Sequence, residues 1–274
     1  MLELHRKVRM CVTDGSTAGG TLPPEATEKF NTWGGWPAMR GLSRWYELEV
    51  ICKGEPDNTG YFINITEIDN AVREEVLPYL QDMISGPIDP ASIPLGEVMR
   101  GIINNLQPLL NETVAEARLN LTPMLSLGME SEHMDRVIIR HQYEFSAAHR
   151  LHCADLSDEQ NIKIFGKCNN PEGHGHNYVL EVAISLPVDP MGEIATVEEL
   201  DELIDTTVIK PFDHKHLNKD TPEFADLNPT VENISKVIYE KLAPKVDDLG
   251  SMPGSELVEI KLWETQKTAC TYKG

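Results

Sequence analysis

Two faint copies of one pattern run through the chain, 132 residues apart. Leu48-Glu49-Val50 recurs as Leu180-Glu181-Val182, and the same ungapped offset pairs Gly41 with Gly173, Tyr46 with Tyr178 and Gly60 with Gly192. It also pairs Glu67 with Glu199, Asp69 with Asp201 and Val76 with Val208. Strand, turn and helix positions stay in register, so the 274 residues divide into two units of one fold, each long enough to bury a core of its own. The expected boundary lies near Met134 to Val137, behind the acidic stretch 130–135, and gives domains 1–137 and 138–274.

The second copy shows the pattern more clearly. Residues 141–146 and 178–186 alternate as strands, and a turn at 189–192 is predicted to join paired strands. Thr196 opens a helix with Glu199 at capping-box spacing, followed by Leu200, Leu203, Ile204 and Val208 at helical intervals. A second helix is predicted over 230–242, with Val231, Ile234, Val237, Ile238 and Leu242 on one face, and an alternating strand over 256–263 closes the copy. In the first copy, residues 23–29, 96–110 and 116–127 take the places of a helical insertion, the second helix and the last strand.

Composition excludes several classes. Lys plus Arg number 24 against 44 Asp plus Glu, a net charge of −20, which argues against binding nucleic acid; a local group of cations could still hold a small anion. No apolar run approaches the roughly 20 residues of a membrane span, and the first thirty residues show no apolar signal core. A soluble, cytoplasmic protein is expected. Its five widely spaced cysteines then read as reduced thiols.

Histidine marks the region that carries chemistry, because seven of the nine lie between His141 and His216. In His174-Gly175-His176, residues two apart on a strand project from one face, so both imidazoles can reach one ion. His149 ends the preceding predicted strand, in F-S-A-A-H-R-L. Three histidines with one position left open match the plan of a catalytic zinc site; the alternative is a turn that presents exposed histidines. Cys168 lies between these ligands beside Lys167, where a cation or metal would favour the thiolate; an inert buried thiol is the other reading. In Asp213-His214-Lys215-His216 the carboxylate could orient the His214 ring, or the segment could be a solvated loop, and His216 is a possible fourth ligand. Glu264, ending the last strand in L-W-E-T, could accept two hydrogen bonds from an amidine-like heterocycle edge, or stand on the surface.

The segments FSAAHRLH, NIKIFGKCNNPEGHGHNY, PFDHKHLN, PTVEN, WET and YKG occur in this order over the second half. That half resembles the 6-pyruvoyl-tetrahydropterin synthase family along about 135 residues. The resemblance implies an α+β tunnelling fold (T-fold), an antiparallel sheet backed by helices whose copies assemble through strand edges into a barrel. It implies Zn2+ on His149, His174 and His176, a catalytic Cys168, and an Asp213–His214 pair. Glu264 would anchor a pterin, with Thr230 and Glu232 of PTVEN lining its pocket; the family often has a second threonine where Val231 stands. The implied substrate is 7,8-dihydroneopterin triphosphate. Cys168 would remove a proton, His214 would return one, and triphosphate would leave, with Arg150, Lys163, Lys167 and Lys215 as candidates to hold it.

The expected activity is therefore a zinc-dependent carbon–oxygen lyase forming 6-pyruvoyltetrahydropterin. Two alternatives are a 6-carboxytetrahydropterin synthase of queuosine synthesis, which would release acetaldehyde, and a zinc- or pterin-binding scaffold without activity. The intact CNNPEGHGHNY loop favours the first. At the 132-residue offset the first half has Leu42 and Arg44 where ligands would stand, so it is expected to be a degenerate, metal-free copy. A homotrimer of tandem chains would supply the six domains that single-domain members assemble as hexamers.

Overall fold

The computed structural model describes residues 1–12, 33–37, 39 and 41–274; the helical insertion expected at 23–29 lies outside them. The chain forms two compact units, Met1–Ile139 with Pro187–Ile194, and Arg140–Leu186 with Ala195–Gly274.

In the first unit, β1 (Leu2–Val12) and β2 (Arg44–Gly54) pair antiparallel and lead to α1 (Ile65–Ala71), one π-helical turn (Val72–Val76) and α2 (Leu77–Ser85). Then follow α3 (Leu95–Leu106), β3 (Val114–Thr122) and β4 (Leu125–Glu130), in the antiparallel order β1-β2-β3-β4. Asn64 caps α1 by accepting the Thr66 N–H, and α3 buries Val98, Met99, Ile102, Ile103 and Leu106, the stripe expected of an amphipathic helix. Alternation along β2 buries Leu48 and Val50, and its other face joins an ionic ladder. There Glu47 meets Arg9 and Lys7 of β1 and Asn120 of β3, while Glu49 meets Arg118. The single strand expected at 116–127 is a hairpin, because Pro123 interrupts the ladder and the chain reverses between Thr122 and Leu125.

In the second unit, β5 (Arg136–His149, here from Arg140) precedes α4 (Asp158–Phe165) and β6 (His174–Pro187). After them come α5 (Val197–Ile204), a π-helical turn (Asp205–Ile209), the single turn α6 (Lys210–Phe212) and the two-residue β7 (Lys215–His216). The unit ends with α7 (Leu217–Asp220), α8 (Val231–Leu242), β8 (Glu256–Thr265) and β9 (Thr268–Tyr272). The sheet order is β5-β6-β8-β9, and β7 pairs parallel with β5. Phe145 stacks on Tyr178 with ring centroids 5.0 Å apart, and Phe212 and Phe224 extend this core. The predicted Thr196–Glu199 capping box is formed in full.

Three expectations for this half need correction. Helix α5 stops at Ile204, and the π turn inserts an extra residue, which keeps Val208 buried behind Leu200 and Ile204. The turn at 189–192 joins no paired strand; Asp189 accepts the N–H groups of Met191 and Glu193, and the chain goes on to α5. Strand β8 does not close the half, since β9 follows it. Among the described residues neither set of strands closes into a barrel, and no helix is long and apolar enough to cross a membrane.

Candidate metal centre and active site

Strand β5 ends at His149 and its neighbour β6 begins at His174, so the sheet brings together two chain segments 25 residues apart. His174, His176 and Tyr178 alternate onto the face shared by His149. Ring centroids of the three histidines stand 4.5 to 5.1 Å apart, His149 Nε2 lies 3.1 Å from His174 Nε2, and one ligand atom from each ring falls within 4.8 Å of the others. Among the described residues this is the one such cluster of histidine, cysteine or acid side chains.

The donor set fits a metal. His149 is fully buried, and its Nδ1–H donates to the Pro229 carbonyl at 2.7 Å, which leaves the Nε2 lone pair facing the other rings. His176 Nε2 is buried without a hydrogen-bond partner, as a ligand atom awaiting an ion would be. Burial pushes His149 down to about 4 and lowers His174 as well, keeping both rings in the neutral form that ligates. Gly173, at φ +76°, supplies close approach: a Cβ there would meet His216 Nε2 at 2.8 Å and the His149 carbonyl oxygen at 2.9 Å. Gly175 has no comparable crowding. In the first unit Leu42 is fully exposed and the corresponding Gly41 has nothing within 4 Å of a Cβ.

Glu264, near the end of β8, directs its carboxylate to this cluster, 3.5 Å from His149 Nε2 and 3.7 Å from His176 Nε2. Cys168 sits on a 3-10 turn (Gly166–Asn169) whose Cys168 carbonyl accepts the Leu151 N–H at 2.8 Å, beside the end of β5. Burial and then Glu264 raise its thiol, opposite to the lowering expected from Lys167.

Asp213 and His214 do form a pair. His214 Nδ1 is 2.7 Å from Asp213 Oδ2, and the other carboxylate oxygen accepts the Ser146 N–H at 2.8 Å. These bonds hold Asp213 below the usual carboxylate range, the Ser146 N–H contributing most. His214 adopts φ +56°, a left-handed conformation unusual for a residue with a Cβ, and its ring is 82% exposed. Thr230 caps α8 by accepting the Asn233 N–H, Val231 is buried, and Glu232 is exposed in the first turn. His216 lies outside the three-histidine cluster. Two contributors carried no sequence signal of function: the Pro229 carbonyl, and Tyr178, whose hydroxyl lies 3.4 Å from His149 Nδ1.

Comparison with known proteins places the same segment. The family described as 6-pyruvoyl tetrahydropterin synthase matches residues 138–274. A protein of Poecilia reticulata named 6-pyruvoyl tetrahydrobiopterin synthase is 43% identical over 131 residues, 47% of this chain and 85% of its own. The human protein of that name is 40% identical over 137 residues, 50% of this chain and 90% of its own. The solved 6-pyruvoyl tetrahydropterin synthase of Caenorhabditis elegans shares 38% identity, with a TM-score of 0.45 over 51% of this chain and 96% of the other. The chain belongs to the 6-pyruvoyl tetrahydropterin synthase family, through the half that carries the histidine cluster.

Proposed function

We propose that the chain is a zinc-dependent lyase that converts 7,8-dihydroneopterin triphosphate to 6-pyruvoyltetrahydropterin with release of triphosphate. One observation carries the reading: three histidine rings whose nitrogens could hold one ion, two of them within 3.7 Å of the Glu264 carboxylate, lie inside the segment that is 40–43% identical to named synthases.

His149, His174 and His176 would hold Zn2+, which when bound supplies Lewis acidity toward side-chain oxygens of the substrate. Glu264 would fix the heterocycle by accepting two of its N–H groups, and Thr230 and Glu232, at the start of α8, would border it. Cys168 takes a proton from the substrate side chain as thiolate, and the raised thiol makes it a stronger base once ionised. His214, held by Asp213 through Nδ1, returns a proton from Nε2. Loss of triphosphate completes an internal rearrangement that needs no external oxidant.

The domain boundary near residue 137 belongs to the same reading, as does a degenerate first copy. Support comes from the order strand, helix, π turn in both units (β2, α1 and Val72–Val76; β6, α5 and Asp205–Ile209), and from Asn64 and Thr196, which cap α1 and α5 at the same 132-residue offset. Residues 1–137 then serve assembly, and a trimer of tandem chains would complete the barrel and remove open sheet edges. The five free cysteines suit the cytoplasm.

The test is to incubate the zinc-loaded protein with 7,8-dihydroneopterin triphosphate and identify products by mass spectrometry. 6-Pyruvoyltetrahydropterin and triphosphate are expected, at one zinc per chain, both zinc and turnover being lost in His174→Ala. 6-Carboxytetrahydropterin with acetaldehyde would replace the product assignment, and untouched substrate would leave a binding scaffold.

A further inference from the structure

One turn occurs twice in the chain with the same hydrogen bonds. After β2, the Asp57 N–H donates to the Tyr61 carbonyl at 2.8 Å and the Gly60 N–H to the Asp57 carbonyl at 3.1 Å, with Gly60 at φ +87°. After β6, at the 132-residue offset, the Asp189 N–H donates to the Glu193 carbonyl at 2.9 Å and the Gly192 N–H to the Asp189 carbonyl at 3.0 Å, with Gly192 also at φ +87°. In each, the aspartate carboxylate accepts the N–H two residues on at 2.7 Å.

The two turns differ in what covers them. The later one belongs to the first compact unit, which includes Pro187–Ile194. It is seated on the start of α3, where the Gly96 N–H donates to the Gly192 carbonyl at 2.9 Å. A Cβ on Gly96 would overlap Val188, and one on Gly192 would overlap the Glu97 side chain, so the seat is built for close approach. Val188 and Gly192 are buried in it, while Pro190 and Met191 at the tip remain in water. Among the described residues the earlier turn has no such seat: residues 55–61 are all exposed, and a Cβ on Gly60 would meet nothing within 4 Å.

The seat recurs as well. Pro94-Leu95-Gly96-Glu97 opens α3 and Pro229-Thr230-Val231-Glu232 opens α8, with a proline and an acid at the same spacing ahead of 12-residue helices that each bury one face. Glu97 lies against the seated turn, whereas its counterpart Glu232 is exposed, as is Lys236 one helical turn on. Val231 replaces Gly96, so a turn placed there rests on a side chain instead of bare backbone. An uncovered turn and an uncovered seat in one chain fit each other across two copies. We propose that residues 56–61 of one copy dock on the start of α8 in a second copy. The contact is heterologous, each copy giving the turn from its first unit and the helix from its second, so it repeats from copy to copy and closes a ring or runs on as a filament. It extends the assembly proposed above and is independent of the reaction.

Sedimentation velocity of the full chain over a dilution series tests the contact, with near-ultraviolet circular dichroism as the check on folding. Pro56 stands where Val188 is buried in its seat, and Asn58 where Pro190 remains in water. Pro56→Glu would bring a carboxylate against Glu232 and should raise the concentration at which the oligomer dissociates by about 10-fold or more. Asn58→Glu, the same charge at the tip of the turn, should leave that concentration unchanged. A second measurement reads the contact directly: in a mixture of unlabelled and heavy-isotope-labelled chains, amine cross-linking should join Lys53 of one copy to Lys236 of another, and Pro56→Glu should lose that link. An oligomer equally stable in wild type and Pro56→Glu, or equally weakened by Asn58→Glu, would overturn the contact and leave assembly by other surfaces in place. A wild-type chain that stays monomeric throughout the series would overturn both the contact and the assembly reading, and neither result touches the assignment of the reaction.

Discussion

The most searching stability prediction concerns two carboxylates, one in each unit, that stand 132 residues apart in the sequence. Asp69, in α1, accepts a bidentate pair of bonds from Arg6 Nε and Nη2, both 2.7 Å, and Arg73 Nη1 stands 3.7 Å away. Asp69 is 12% and Arg73 only 3% exposed, and two nitrogens of Arg73 have no hydrogen-bond partner, so two guanidiniums share one acid in a desolvated setting. Asp69 raises Arg6, while burial outweighs it at Arg73 and pushes that group down. Asp69→Asn keeps the shape and removes the compensating charge. Breaking a buried pair in this way costs about 3–5 kcal/mol, and the partial exposure of Arg6 points to about 3. Asp201, its counterpart 132 residues on, is 49% exposed and bonds the Tyr143 hydroxyl at 2.9 Å, with His141 Nδ1 at 3.2 Å. Asp201→Asn keeps an acceptor for Tyr143 in partial contact with water, and should cost about 1 kcal/mol or less. Urea unfolding, with hydrogen exchange read separately in α1 and α5, distinguishes the two because each unit is followed on its own. For a urea dependence of roughly 1–3 kcal/mol per molar, the first-unit midpoint should fall by about 1–3 M in Asp69→Asn. A loss no larger than that of Asp201→Asn would refute the argument from burial.

Other predictions address the site. Cys168→Ala should retain zinc and pterin binding but lose turnover, as checked by metal analysis, pterin fluorescence titration and rate. Because Glu264 helps to hold the Cys168 thiol up, Glu264→Gln should lower it, and alkylation of metal-stripped protein by iodoacetamide at fixed pH should speed up; an unchanged rate would remove Glu264 from the thiol's surroundings. Thr230→Ala should cost about 1 kcal/mol of α8 capping and, by loosening the Pro229 carbonyl that holds His149, weaken zinc in a chelator competition that Thr230→Ser restores. His214→Gly should relieve a left-handed backbone and raise thermal stability by roughly 0.5–1 kcal/mol while abolishing turnover, the combination expected of a strained catalytic position.

What could be read from sequence, and what could not, divides along a physical line. The histidine cluster was legible because ligation needs particular side chains, and a strand's two-residue period converts H-x-H directly into geometry. The stripe on α8 was legible for a similar reason: Val231, Ile234, Val237, Ile238 and Leu242 are all buried, as helical spacing requires. Groups that act through the backbone left no such trace. Nothing in the letters P-T-V-E-N says that the Pro229 carbonyl fixes the tautomer of a residue 80 positions earlier. The hairpins β3–β4 and β8–β9 were missed because a strand followed by a short turn reads the same whether or not a partner strand returns. The π turn after α5 was hidden too, since Leu200, Ile204 and Val208 at four-residue steps fit a continuous helix as well as an interrupted one. It precedes α6 and the Asp213–His214 pair, where Asp213 accepts the Ser146 N–H of β5. The first unit has a π turn at the matching place, Val72–Val76, yet no histidine pair after it. The turn therefore belongs to the packing of the fold, and the second unit sets its Asp213–His214 pair after a π turn that both units make.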